Sequence, residues 1–309
     1  KYQGRKHKIF ASTIAILGLN GTILAYLIVA GIFLHNLVNH FFSHDIGLSA
    51  FFYSTIIFII ISSISFFGLR ILASVEFFLA GLLILFIFLL IWRSFGLVDF
   101  NNYDLVHWEY VLFPYGPIFF AIGGITAIPY VCKLLERKKE KIKSAIFWGT
   151  FISSLIIIIF TLLILGVTGK ETTPDSLTGL GLIIGNGILA FSLAFGVISI
   201  TTSFLVVAQT LREVYYLDLK IDKNISWALA CFIPYALFLM GVHNFTKVIG
   251  LTGSIVGGLL GIILVFLALK VKENPERESI IKNKLNKPLA YALSLLFILG
   301  LLYEIWAMF

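Results

Sequence analysis

Two groups of residues in this chain have the types and spacing to do chemistry, and neither is an array of acids and nucleophiles. The first is Gly123-Gly124, at the centre of the apolar stretch Pro114-Tyr-Gly-Pro-Ile-Phe-Phe-Ala-Ile-Gly-Gly-Ile-Thr-Ala-Ile-Pro129. Glycine has no Cβ, can take positive φ and lets a ligand approach the backbone, whereas proline lacks an N–H and clashes with the turn before it. A helix carrying both is expected to break at its middle and to free several amides and carbonyls. The half-helix after the break then points the positive end of its dipole into the gap, where it can meet a carboxylate. Phe119, Phe120 and Ile122 offer apolar surface for a side chain. The plainer alternative is a kinked helix whose neighbours satisfy the freed groups.

The second group is Ser192, Gly196, Ser199, Thr202 and Ser203, which recur at spacings of three and four along a run otherwise made of Leu, Ile, Val, Phe and Ala. That period puts them on one face of a helix. Adjacent hydroxyls can supply hard oxygen ligands to a small cation, and the carbonyl three residues before Thr202 lies on the same side. The alternative is that each hydroxyl bonds to its own backbone or to a neighbouring helix.

Other chemistry is sparse. Glu76 stands near Arg70, where a salt bridge or snorkelling to the interface outweighs proton carriage, and Arg212, Glu213 and Glu304 lie towards the ends of apolar runs. His35, His40, His44, His107 and His243 fall at or beyond the outer ends of such runs and His7 on the other side, so no His–carboxylate relay forms inside them. No H-E-x-x-H, nucleophile elbow or pair of aspartates within the apolar runs is found, which argues against a membrane-embedded hydrolase. Cys132 and Cys231 show no metal or redox spacing and read as small buried apolar residues.

The elements that must position these groups follow from composition. Of 309 residues 59% are hydrophobic and 13% charged, with a mean hydropathy of +1.00. This describes an all-α polytopic membrane protein. About 20 apolar residues cross a bilayer core, and nine segments qualify, near 9–37, 48–68, 72–93, 112–136, 143–168, 182–217, 226–242, 248–271 and 288–308. Residues 1–309 therefore read as one transmembrane domain, with a broken helix at 112–136 and the hydroxyl-bearing helix at 182–217. In lipid, broken backbone survives only where protein or a water-filled cavity satisfies it, and interrupted helices mark transporter binding sites. Gly18, Gly21, Thr22 and Ala25 in the first span and Gly250, Gly253, Ser254, Gly257, Gly258 and Gly261 in the eighth form small-residue faces suited to close packing.

Of the 23 Lys and Arg, all but Arg93, Lys170 and Lys247 fall on the side of Lys1. Positive loops stay inside, so the expectation is a multi-pass protein of the cell membrane with a cytoplasmic N-terminus and Phe309 outside. Topology thus accounts for the net charge of +7: anionic lipid headgroups are the expected partners of the basic loops, with no nucleic acid and no obligate protein partner. The opening residues Lys1-Tyr-Gln-Gly-Arg-Lys-His-Lys8 read as a cytoplasmic loop rather than a signal peptide.

Three stretches carry a family resemblance. Leu17-Gly-Leu-Asn-Gly-Thr-Ile-Leu-Ala-Tyr-Leu-Ile-Val-Ala-Gly31, the run from Phe113 to Pro129, and Ser199-Ile-Thr-Thr-Ser-Phe204 resemble the third, broken sixth and eighth helices of the amino acid/auxin permease family. The likeness covers essentially the whole chain and implies a LeuT-type fold of two inverted repeats, of which the nine spans would be helices three to eleven. The chain is then expected to be an N-terminally truncated permease. The resemblance implies a secondary transporter that moves a neutral amino acid, aromatic ones included, by alternating access, coupled to Na+ or H+ and needing no other cofactor. Carried over, Ala121, Ile122, Gly123 and Gly124 line the substrate site with backbone groups, Phe120 bounds the side-chain pocket, and Asn20 adds a polar contact. Ser199 offers a carbonyl, and Thr202 and Ser203 hydroxyls, to sodium. A membrane receptor reusing the fold is the competing reading.

Overall fold

A computed structural model of the chain describes residues 5–42, 47–67, 72–103, 108–135, 138–184, 186–273 and 285–307. Among them there is no β-strand. The α-helices are α1 (Arg5–Phe42), α2 (Ala50–Phe67), α3 (Leu72–Ser94), α4 (Tyr115–Ile122), α5 (Ile128–Leu134), α6 (Lys139–Thr168), α7 (Leu177–Ile184), α8 (Asn186–Glu213), α9 (Lys223–Leu239), α10 (Phe245–Leu251), α11 (Gly258–Glu273) and α12 (Lys287–Ala307). Hydrocarbon offers backbone groups no partners, so runs of Leu, Ile, Val and Phe must bond within themselves as helices.

Seven helices among the described residues are long and apolar enough to cross a membrane, while Lys223–Leu239 is a shorter apolar helix. The nine expected spans are therefore not all matched by unbroken helices of spanning length. The segment expected at 112–136 is divided into α4, a 3-10 turn at Gly124–Ala127, and α5. The segment expected at 182–217 consists of the end of α7, all of α8 and part of a π-helical turn, Val214–Asp218; Gly185 lies outside the described residues. The turn expected around Gly68 to Arg70 also lies outside them, as does the side chain of Glu76.

The chain forms two compact units. Unit 1 takes residues 1–21, 107–155 and 246–309, and unit 2 takes 22–106 and 156–245. In unit 2, Phe86, Leu90, Ile164 and Leu193 belong to one buried apolar cluster. Lipid tails are as apolar as leucine, so close approach must hold the helices together. Two glycines show it: a methyl on Gly196 would strike the ring of Phe33, and one on Gly31 would strike Ser54. Phe58 of α2 stacks on Tyr235 of α9 at 3.9 Å, and Trp227 donates its indole N–H to the Ser62 carbonyl at 3.1 Å. Asp222 caps α9 by accepting from the amides of Asn224 and Ile225.

Unit 1 is built around irregular backbone. Between α10 and α11 the helix widens into a π-helical turn, Thr252–Gly257. The small-residue face of α1 abuts it, since a methyl on Gly21 would meet Thr252 and one on Gly18 would meet Val256. The chain following the turn packs on α12, where Gly261 lies against Phe297.

Candidate functional site

The broken segment lies wholly within unit 1. α4 ends at Ile122, and Gly123 stops it at φ −65°, ψ 65°, its N–H donating to the Phe120 carbonyl at 3.2 Å. The break is thus made without positive φ at Gly123. What this glycine supplies is its missing Cβ, which would stand 3.2 Å from the carbonyl oxygens of both Phe119 and Phe120. Gly124 faces open space. The next α-helix begins only at Ile128, beyond the 3-10 turn, so its positive end is set back from the glycine pair.

The π turn holds α4 from behind. A methyl on Gly116 would meet the Gly250 carbonyl and the Ser254 hydroxyl, one on Gly253 would meet the Gly116 carbonyl, and one on Gly257 would meet the ring of Phe119. Backbone is packed on backbone here, which only glycine permits. Phe119 also stacks on Tyr115 at 5.9 Å and meets Phe297 edge-on at 5.5 Å.

In front of the break lies a cavity of about 520 Å³ whose walls include Tyr115, Ile118, Phe119, Ile122, Gly123 and Gly124, with Leu296 from α12. Its size is that of a small-molecule site. None of its lining residues is charged at neutral pH. Phe120, expected to bound the side-chain pocket, does not line the cavity, and neither does Ala121; Phe119 and Tyr115 do. Asn20 stands on α1 beside Gly21 and is 5% exposed. Its amide donates to the Ile16 carbonyl at 2.7 Å, while its Oδ1 is buried without a hydrogen-bond partner.

Residues 1–306 match the tryptophan/tyrosine permease family. The chain belongs to that family. It is therefore an amino acid permease with several apolar membrane helices, a description that fits a transporter rather than an enzyme. No curated protein matches the permease at significant similarity.

The hydroxyl face of the permease lies in unit 2. Thr202 is 9% exposed and donates its hydroxyl to the Ser199 carbonyl at 2.9 Å. Two of the three oxygens expected to hold sodium thus already satisfy each other along the helix. Ser203 is half-buried on the same stretch of α8, and Ser192 is buried about three turns earlier. Thr201 and Thr210 bond in the same way to Val197 and Val206. Among the described residues no three His, Cys, Asp or Glu come together as metal ligands do. Cys231 is buried and Cys132 half-buried, and both are free thiols.

Sequence reasoning passed over Tyr115, whose hydroxyl is buried without a hydrogen-bond partner. Its true neighbour, Gly300, is far away in sequence.

Proposed function

We propose that this permease is a secondary active transporter that carries a neutral aromatic amino acid, tryptophan or tyrosine, across the cell membrane by alternating access, driven by Na+ or H+. The observation that carries this reading is the family match over residues 1–306 together with an uncharged, aromatic-walled cavity at the helix break. A cationic or anionic side chain would find no counter-charge there, while an indole or phenol finds the rings of Phe119 and Tyr115.

In this reading the broken backbone at Ala121, Ile122, Gly123 and Gly124 meets the α-ammonium and α-carboxylate groups. Asn20 Oδ1, a buried acceptor, is suited to an ammonium N–H. Phe120 closes the pocket from the far side once the substrate is held. If sodium drives transport, the Thr202 hydroxyl gives up its bond to Ser199 and both oxygens turn to the ion, with Ser203 as the third. The fold is the LeuT-type inverted repeat, oriented with Lys1 inside and Phe309 outside. Residues 121–124 are all exposed in unit 1, and the reading assigns their cover to a further helical segment that completes the substrate site.

Uptake into proteoliposomes tests this. Full-length protein should accumulate labelled tryptophan or tyrosine under an imposed Na+ or H+ gradient, with lysine and glutamate failing to compete. The 309-residue chain alone should accumulate neither. Uptake driven equally well by charged amino acids would overturn the substrate assignment, and uptake by the 309-residue chain alone would overturn the need for a completing segment.

A further inference from the structure

The cavity at the helix break offers almost no polar side chain. Among the described residues that line it, Tyr115 alone carries a polar side-chain group; the others are Gly, Pro, Val, Leu, Ile and Phe. The Tyr115 Oη is buried and meets no hydrogen-bond partner in the protein. A buried hydroxyl left unpaired costs free energy that a phenylalanine at the same position would not, and folded proteins keep few such groups.

Packing explains the ring of Tyr115 but not its hydroxyl. The ring fills the place where a methyl on Gly300 of α12 would stand. It also lies nearly parallel to Phe119, with centroids 5.9 Å apart and planes 11° from each other. Phe119 in turn is fixed by Gly257, whose missing Cβ makes room for its ring, and by Phe297, edge-on at 5.5 Å. The phenol is therefore pinned from α12 and, through Phe119, from the π turn.

We infer that Tyr115 is the residue that selects among aromatic substrates by their polar ring atom: its hydroxyl accepts the indole N–H of tryptophan and shares a hydrogen bond with the phenol O–H of tyrosine. Selection of this kind rests on the substrate site proposed above and goes beyond it, because stacking on Phe119 and Tyr115 holds any aromatic ring, that of phenylalanine included. An indole N–H only donates, whereas a phenol hydroxyl both donates and accepts, so Tyr115 can meet either ligand. Phenylalanine brings no partner and leaves the hydroxyl unpaired. Small-molecule sites are oriented in this way, by a few polar groups set in apolar walls. The walls include both Tyr115 and the glycine pair, so one ligand can set its α-amino and α-carboxylate groups on the broken backbone and its ring beside the phenol. The hydroxyl has no bond to break and its ring is already held, so the new hydrogen bond is gained with little offsetting cost.

Equilibrium binding to the full-length permease and to Tyr115→Phe tests this with four ligands: tryptophan, tyrosine, phenylalanine, and benzothienylalanine, the tryptophan isostere in which sulfur replaces the indole N–H. The parent should bind tryptophan about tenfold tighter than benzothienylalanine, and tyrosine about tenfold tighter than phenylalanine, the effect of one hydrogen bond. In Tyr115→Phe both ratios should fall to about one, through weaker binding of tryptophan and tyrosine, while the two ligands that lack the donor bind as they do to the parent. Loss of an unpaired hydroxyl should leave the thermal midpoint in detergent unchanged or raised. A parent that binds tryptophan and benzothienylalanine alike would overturn the role of Tyr115 and leave the proposed function standing, as would ratios that survive in Tyr115→Phe. All four ligands weakened alike in the variant, with a lower midpoint, would give the hydroxyl a structural role and overturn its part in selection. A parent that binds none of the four would overturn the proposed function itself, and this role with it.

Discussion

In unit 2, α8 runs without a break from Asn186 to Glu213, and its hydroxyls turn back on it: Thr201 bonds to Val197, Thr202 to Ser199 and Thr210 to Val206. In unit 1 the backbone breaks at Gly123 and widens at Thr252–Gly257, and the Tyr115 hydroxyl, on the helix that ends at the break, is buried without a partner; unit 2 also holds such atoms, among them Ser94 Oγ and Gln209 Oε1, but on unbroken helices. Both units are made from the same apolar residue types. The difference teaches where a ligand has most to gain. A hydroxyl bonded to its own helix must give up that bond to take an ion, whereas an orphan polar group has none to lose. The irregular backbone is correspondingly held in place by glycines that no other residue could replace.

The largest expected effect comes from attacking that support. Gly253→Val would drive a side chain into the Gly116 carbonyl and should destabilise the permease by about 3 kcal/mol, read as a fall in thermal midpoint in detergent. Gly81→Val, in unit 2 with nothing within reach of an added Cβ, should change stability by less than about 0.5 kcal/mol. Equal losses in the two variants would erase the contrast between the units.

A smaller effect is expected at the cavity. Gly124→Ile projects into open space beside the break, so it should leave unfolding unchanged while weakening tryptophan binding about tenfold or more, equivalent to about 1.4 kcal/mol. Equilibrium binding to the purified full-length protein measures it. Smaller still is Thr202→Val, which removes the bond to Ser199 at a cost of about 1 kcal/mol. Sodium-dependent uptake should fall if the hydroxyl face holds the ion. Retention of full sodium dependence would leave unit 2 with a packing role at this position.

The smallest change concerns the cap of α9. The amides of Asn224 and Ile225 hold the Asp222 carboxyl below its ordinary range. A depressed folded-state value means the cap stabilises above the unfolded carboxylate value and is lost as pH falls through the folded one. Protection of the Asn224 and Ile225 amides against hydrogen exchange, taken relative to the intrinsic rate at each pH, should therefore fall on acidification in the parent. In Asp222→Ala protection should be low throughout, with no such pH-dependent step from the cap.

Much of this contrast was legible in the residues. Paired glycines between prolines announce a break, and the structure interrupts the helix at Gly123. The serine and glycine stripe from Gly250 to Gly261 announced close packing, and its glycines do meet α4 and α12. The bond between Thr202 and Ser199 follows from helical spacing alone. Phase was harder to read: once α4 ends at Ile122, periodicity no longer says whether Phe119 or Phe120 faces the cavity, and it is Phe119 that lines it. The π turn was hidden because its extra residue leaves composition unchanged. The pairing of Ser254 with Glu304 joins helices 50 residues apart in sequence, beyond the reach of any local pattern.

The central claim is that an aromatic amino acid binds at the break in unit 1. Photo-crosslinking measures this most directly: a photoreactive tryptophan analogue is activated on the full-length permease and the labelled peptides are identified by mass spectrometry. The account predicts labels within Tyr115 to Gly124, suppressed by excess tryptophan and lost in Gly124→Ile. Suppressible labels confined to other segments, with none in Tyr115 to Gly124, would contradict it.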